Sequence, residues 1–248
     1  MERPKRISRW RIALRVALLG AAVVGSGVFT RWIGGNQGTV APGMVHRSGQ
    51  LSGSGLGRTI RSKGIRAVLN LRGGNPSERW YQEERGATLA NGATLIDFAM
   101  ASDMYLSRNQ ARALVELLER CEKPMLIHCQ WGAERTGLAS AFAELLRPGG
   151  SLRNARAEFS PYYLYLPIRD GLTMRRHLDR YESWLAGQRV GHSPETFRRW
   201  VRDGYTPGSP SREEWPYDPY PLVVVHRPAD HSRPEVAKRP RTPATSMK

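Results

Sequence analysis

The chain has 248 residues and carries 38 Lys and Arg against 22 Asp and Glu, a formal charge of +16. Such a surplus invites nucleic acid as a partner. However, the basic residues are dispersed through both ends and the middle and no nucleic-acid module is written, so a generally arginine-rich composition is the favoured explanation, with attraction to anionic lipid or phosphorylated substrates as the alternative. Two cysteines, Cys121 and Cys129, exclude a disulfide framework, and no zinc-type ligand spacing occurs.

Residues 1–15 carry Arg3, Lys5, Arg6, Arg9, Arg11 and Arg15 against Glu2, and Val16 to Thr30 is then free of charge until Arg31. Extended from Ile12 to Ile33, the run reaches about 20 residues, enough to cross a bilayer if its arginines snorkel. Residues 1–35 are therefore expected to be a basic N-terminus with a signal anchor, or with a signal peptide. Gly25, Ser26 and Gly27 allow cleavage without demanding it. The anchor is favoured. The charge bias orients it with the N-terminus in the cytoplasm and the rest of the chain outside, or exported if the segment is cleaved.

A short helix is expected from Gly55 to Lys63. Ile65 to Leu71 alternates apolar and polar residues as a strand does. Ser77 to Leu89 reads as a helix, with Glu78-Arg79 and Glu84-Arg85 on an ordinary solvated face, and Ala93 to Phe98 as another strand. Ser107 and Gln110 form a capping box for a helix striped by Ala111, Leu114, Val115 and Leu118. Lys123-Pro124 stops that helix and sets up an apolar strand, Pro124 to Ile127. Leu138 to Leu146 is helical, Pro148-Gly149-Gly150 breaks the chain, and two helices follow, near Ser151 to Phe159 and Arg169 to Leu185.

Alternating strands and helices predict an α/β fold, a central mixed β-sheet flanked by helices, over residues 40–187. Residues 188–248 read as a Pro/Arg-rich C-terminal extension. Pro194 to Trp200 makes one short helix there, and the stretch from Tyr205 is irregular, disordered or wrapped on the core, with Leu222 to Val225 its sticky patch.

The chemistry concentrates in His128-Cys129-Gln130-Trp131-Gly132-Ala133-Glu134-Arg135-Thr136-Gly137. A buried strand running into a tight loop that opens a helix aims backbone N–H groups and a positive helix end at one small volume, which suits a phosphate dianion. The same field favours a thiolate, so Cys129 would be a nucleophile as well as the floor of an anion site. Arg135 offers a planar fork that can hold two phosphate oxygens at once. Gly132 lets the backbone turn and approach a ligand. The backbone from Gln130 through Trp131, Gly132, Ala133 and Glu134 to Arg135 would line the substrate. His128 reads as an organiser of the loop by hydrogen bonding.

With these residues, the chain resembles the cysteine-dependent protein tyrosine and dual-specificity phosphatases, whose active-site loop reads His-Cys-x5-Arg-Ser/Thr. Arg47-Ser48-Gly49-Gln50-Leu51 and the Gly64 to Arg72 segment extend the likeness over roughly residues 40–187, closest to the compact bacterial dual-specificity-like branch. The resemblance implies a protein tyrosine phosphatase-like fold. It also implies a cysteinyl-phosphate on Cys129, a Thr136 hydroxyl that hydrogen-bonds the sulfur and helps it leave, and an upstream Asp as general acid. Asp103, in the loop before the Ser107 helix, is the favoured acid; Asp97, inside an apolar alternation, is the alternative. Neither a cofactor nor a metal is required by that chemistry.

Glu134 disfavours polyanionic ligands by like-charge repulsion. Trp131 either stacks on an aromatic leaving group or packs against the fold. The expected substrate is a phosphorylated protein, at tyrosine or at serine/threonine. A lipid or small-molecule phosphate is the alternative, and a phosphate-binding module without turnover is the reading from another class. Cys121 is expected to be a partly buried free thiol, too far along the strand from Cys129 for a disulfide.

Overall fold

The computed structural model describes residues 9–168, 171–214 and 222–228. Within them the chain runs α1 (Arg9–Ile33), β1 (Gly38–Ala41), β2 (Val45–Ser48), α2 (Gly53–Lys63), β3 (Ala67–Asn70), α3 (Arg79–Ala90), β4 (Thr94–Phe98), α4 (Arg108–Arg120), β5 (Met125–His128), α5 (Glu134–Leu146), α6 (Leu152–Ala157), α7 (Gly171–Gln188), α8 (Pro194–Arg199) and β6 (Val223–His226). The strands form one mixed sheet in the order β1-β2-β5-β3-β4-β6. Its centre, β2, β5, β3 and β4, is parallel, and β1 and β6 close the two edges antiparallel. Parallel strands need crossovers, and the helices that supply them cover both faces.

That cover corrects one expectation. Ile65 to Leu71 was read as alternating between a core and a polar face, yet every residue of β3 is buried. The alternation survives as a choice between two cores. Ala67, Leu69, Ile96, Phe98, Met125, Ile127 and Cys129 face one of them, which holds α4, α5 and α7 residues. Val68, Leu95 and Leu126 face the other, with Leu56 and Ile60 of α2 and Tyr81 of α3. Because side chains alternate along a strand, Asn70, Asp97 and His128 share parity with Val68, Leu95 and Leu126 and so point toward α2 and α3. Cys129 points the opposite way, toward α5.

The helix starts follow local chemistry. Ser52 caps α2 by accepting from Gly55 N, and Gly64, left-handed, ends it. Ser107 and Gln110 form the expected capping box on α4. α5 is different: from Thr136 to Leu146 it is buried on all sides, because α4, α6, α7 and α8 surround it and the sheet lies behind.

The C-terminal extension departs most from expectation. The boundary expected at residue 187 cuts through the core. Phe197, Trp200, Val201 and Tyr205 are buried with Phe142 and Tyr181. Phe142 and Phe197 meet edge to face at 4.9 Å, and Trp200 lies 5.0 Å from Tyr181. Part of the apolar patch from Leu222 is β6, which pairs with β4 from Phe98↔Val223 to Leu95↔His226. The extension beyond residue 228 lies outside the described residues. The Ala13–Ile33 part of α1, 21 residues, is long and apolar enough to cross a membrane, and its described side chains are exposed apart from that of half-buried Arg31.

Candidate active site

Cys129 follows the last residue of β5, at the C-terminal end of the parallel strands where α/β folds place their ligand crevices. The loop from Cys129 to Ala133 leads directly into α5 at Glu134. Cys129 is buried, and Gly132 N–H points at its Sγ from 3.3 Å. The turn depends on glycine. Gly132 has φ +71°, and a Cβ there would lie 2.6 Å from Gly49 N and 2.7 Å from the Ser48 carbonyl.

The outside of the loop is held by two side chains that sequence reasoning did not single out. Asn36, just after α1, donates through Nδ2 to Trp131 O at 2.9 Å, Gly132 O at 3.2 Å and Tyr163 O at 2.8 Å. Arg47, on β2, is fully buried. It donates to Gly132 O at 2.6 Å and Glu158 O at 2.8 Å, ion-pairs with the Glu158 carboxylate, and lies 3.7 Å from the Tyr163 ring centre. Burial pushes the Glu158 carboxyl up while Arg47 pulls it down. The signal in the sequence was an arginine in an edge-near strand read only as part of a resemblance: a buried guanidinium has to find acceptors.

Strand parity sets the inner wall. His128 turns toward α3 and donates from Nε2 to Glu84 Oε1 at 2.8 Å. This is the organising role expected for His128. Glu84, however, is fully buried, not on a solvated face. Its other oxygen accepts from Gln50 Nε2 at 2.7 Å, and Gln50 Oε1 accepts from Arg72 at 2.9 Å. Burial raises the Glu84 carboxyl, but the favourable partners His128, Gln50 and Arg72 outweigh it and hold it below the usual range.

Arg72 sits 3.4 Å from the Trp80 ring centre. Burial lowers its pKa, the neighbouring positive charge of Arg135 lowers it further, and Glu84 and Cys129 act the other way. The positive charges of Arg72 and Arg135 thus oppose each other, which a bound anion would relieve. Arg135 itself donates to Met100 O at 3.2 Å and Leu71 O at 3.4 Å.

Among the remaining loop residues, Gln130 is exposed and Ala133 is buried at the foot of α5. Glu134 is half-buried in the first turn, and Trp131 is 54 % exposed, so it does not pack against the fold. Thr136 is fully buried, and its Oγ1 has no hydrogen-bond partner among the described residues.

The two acid candidates separate. Asp97 is buried and spoken for: Oδ1 accepts from Asn70 Nδ2 at 2.9 Å, and Oδ2 accepts from Tyr81 OH and, at 3.0 Å, from His226 Nε2. The same parity that turns Asp97 to Tyr81 takes it off the Cys129 side of the sheet. Asp103 is exposed in the loop between β4 and α4, the loop whose Met100 carbonyl Arg135 holds. Cys121 is a half-buried free thiol, raised by burial, at the opposite end of β5. It lines a cavity of about 530 Å³ between α4 and β6. The strand alone separates it from Cys129 by roughly 13 Å, beyond disulfide reach.

The model of a family described as "DSP-PTPase phosphatase fused to NAD+ Kinase" matches residues 32–163, more than half of the chain. Among solved structures, the core catalytic domain of the PP-IP phosphatase SIW14 from S. cerevisiae is 20 % identical. It matches over 62 % of this chain and 92 % of its own, with a TM-score of 0.46. P. aeruginosa TpbA is 18 % identical over 61 % of this chain and 91 % of its own, with a TM-score of 0.46. Tk-PTP in its active form is 21 % identical over 58 % and 96 %, with a TM-score of 0.45. No curated protein matches the chain.

Proposed function

Because the chain belongs to the DSP-PTPase family of phosphatases, we propose that it hydrolyses phosphomonoesters of proteins, at phosphotyrosine or phosphoserine/threonine, through a cysteinyl-phosphate on Cys129. The observation that carries this reading is a buried cysteine at the floor of a loop that opens α5, with Gly132 N–H aimed at its Sγ and Arg135 in the first turn of that helix.

In the proposed reaction, phosphate enters with its oxygens on the loop N–H groups and on the fork of Arg135, which gives up the Met100 and Leu71 carbonyls for them. Cys129 Sγ attacks phosphorus, an S–P bond forms and the bond to the leaving oxygen breaks. Asp103 supplies the proton that oxygen needs. Water then attacks the cysteinyl-phosphate, Asp103 takes a proton from it, and inorganic phosphate leaves as the thiolate is restored. Thr136 supports that departure if its buried hydroxyl turns to the sulfur. Asn36 and Arg47 fix the loop carbonyls outward, which leaves the N–H groups facing in.

We read α1 as a membrane anchor, with the catalytic part outside the cytoplasm, from the basic residues that precede it and its predominantly apolar 21-residue segment Ala13–Ile33. A lipid or small-molecule phosphate is the second reading for the substrate, and tethering at a membrane favours it.

The test is phosphate release from an aryl phosphate by the reduced full-length chain in detergent, with Cys129→Ser beside it. Activity in the parent and none in the folded variant is expected. An inactive parent would overturn the enzyme reading and leave a phosphate-binding module.

A further inference from the structure

We propose that the rim of the Cys129 pocket rests on the bilayer that takes α1, so that α1 both anchors the domain and aims its active site at the lipid surface. The proposal builds on the anchor reading of α1 and adds an interaction surface to it.

The first observation is how short and fixed the connection is. Ala13–Ile33 covers about 31 Å as a helix, close to the thickness of a hydrocarbon core. Asn36, three residues beyond Ile33, is the residue that holds the Trp131 and Gly132 carbonyls. Three residues span at most about 10 Å. The link is also tied down: Gly34 N bonds Thr30 O, Asn36 N bonds Arg31 O, and Gly49 N bonds Gly35 O at 2.7 Å. Arg31 Nε reaches Asn36 Oδ1 at 3.3 Å, and its guanidinium lies 3.8 Å from the Tyr162 ring centre. The end of α1 therefore docks against the active-site loop and the segment around Tyr162.

The second observation is what surrounds that junction. Trp131, Tyr162, Leu166 and Ile168 are 54 %, 64 %, 58 % and 63 % exposed. A Cβ on Gly171 would lie 3.3 Å from the Leu166 carbonyl oxygen and 3.5 Å from the Glu134 side chain, so the Leu166 segment lies near the first turn of α5. Outside α1, the other large apolar side chains left exposed among the described residues are Met44, Val190 and Val225. Met44 lies at the opposite end of the sheet, beside Met125. The apolar surface is thus gathered at the end of the molecule where α1 enters. An aromatic and aliphatic rim with an arginine among its rings is the composition that settles at a headgroup boundary.

The test uses the full-length chain with Cys121→Ser and Cys129→Ser, reconstituted in phosphatidylcholine vesicles with a minority of phosphatidylglycerol. A nitroxide is attached at Val23→Cys in one sample and at Ile168→Cys in another. Collisions with oxygen and with a water-soluble nickel chelate report depth. Both labels are expected to be open to oxygen and shielded from nickel, Val23 more deeply. Adding Leu166→Asp should return the Ile168 label to water and leave Val23 where it is. A buried Val23 label with a water-exposed Ile168 label would overturn the docked rim while α1 stays an anchor. A water-exposed Val23 label would overturn the anchor and the rim together.

Discussion

Asp103 and Asp97 are six residues apart and chemically identical, and their surroundings differ: one is exposed and the other buried. A general acid has to meet the leaving oxygen and exchange protons with water. Asp103 has the exposure for that, on a loop held to Arg135 through Met100. Asp97 spends both oxygens on Asn70, Tyr81 and His226. Asp103→Asn should lower turnover of alkyl phosphates by about 100-fold or more and affect substrates with good leaving groups far less. Asp97→Asn should instead cost about 1–3 kcal/mol of stability by unpairing buried donors, with the dependence on leaving group unchanged. Initial rates on a leaving-group series, beside urea midpoints, separate the two. Cys129 and Arg135, the proposed nucleophile and its arginine, could be singled out in the sequence because they lie within one local loop whose strand and helix are written on either side. The sequence left the acid open because its selection depends on strand parity and on His226, distant in the chain. Asn36, Arg47 and Glu84 were missed for the same reason: each matters through a partner about 44 to 111 residues away.

The loop from Ala99 to Ser107 carries Asp103, the proposed acid, and a buried histidine secures its far end. His177 of α7 accepts Leu106 N–H on Nε2 at 3.2 Å and donates from Nδ1 to the Thr173 and Met174 carbonyls at 3.1 Å. An imidazole that accepts on Nε2 has to be neutral, and burial pushes its pKa down to about 4. In the unfolded chain it titrates near the ordinary value of about 6.5. Between those values the unfolded state binds the extra proton. Stability is therefore complete above about pH 6.5 and falls as pH drops toward 4, by about 3 kcal/mol at most from this group. Urea midpoints across that window should show this slope, and His177→Gln should flatten it at some cost in stability at neutral pH. A slope unchanged in the variant would count against the assignment. The helices themselves were legible to within a few residues where caps and periodicity agree, as at Ser107. β1 and β2 were not, because four-residue strands carry too few side chains to reveal a period.

For the molecule as a whole, the question is where the folded unit ends, and composition left that open between a disordered tail and one wrapped on the core. A Pro- and Arg-rich stretch reads as unable to bury enough apolar surface when averaged over its length. Here the burial is concentrated in Phe197, Trp200, Val201 and Tyr205, which close the aromatic cluster around Phe142 of α5 and Tyr181 of α7. α5 is the helix whose first turn carries Arg135, so the cluster bears directly on the catalytic loop. Losing even one such large aromatic from a core costs about 3–5 kcal/mol, and a domain is stable by only about 5–15 kcal/mol. A chain stopped at residue 187 loses four buried apolar residues at once and should fail to fold, with no phosphate release and no cooperative melting transition in detergent. A chain stopped at residue 214 keeps the cluster and gives up β6 with its His226–Asp97 contact. It should fold and melt at a lower temperature than the full chain, and it should retain turnover, since Cys129, Arg135 and Asp103 keep their supports. Equal stability of the two fragments would show that the aromatic cluster is not what holds α5.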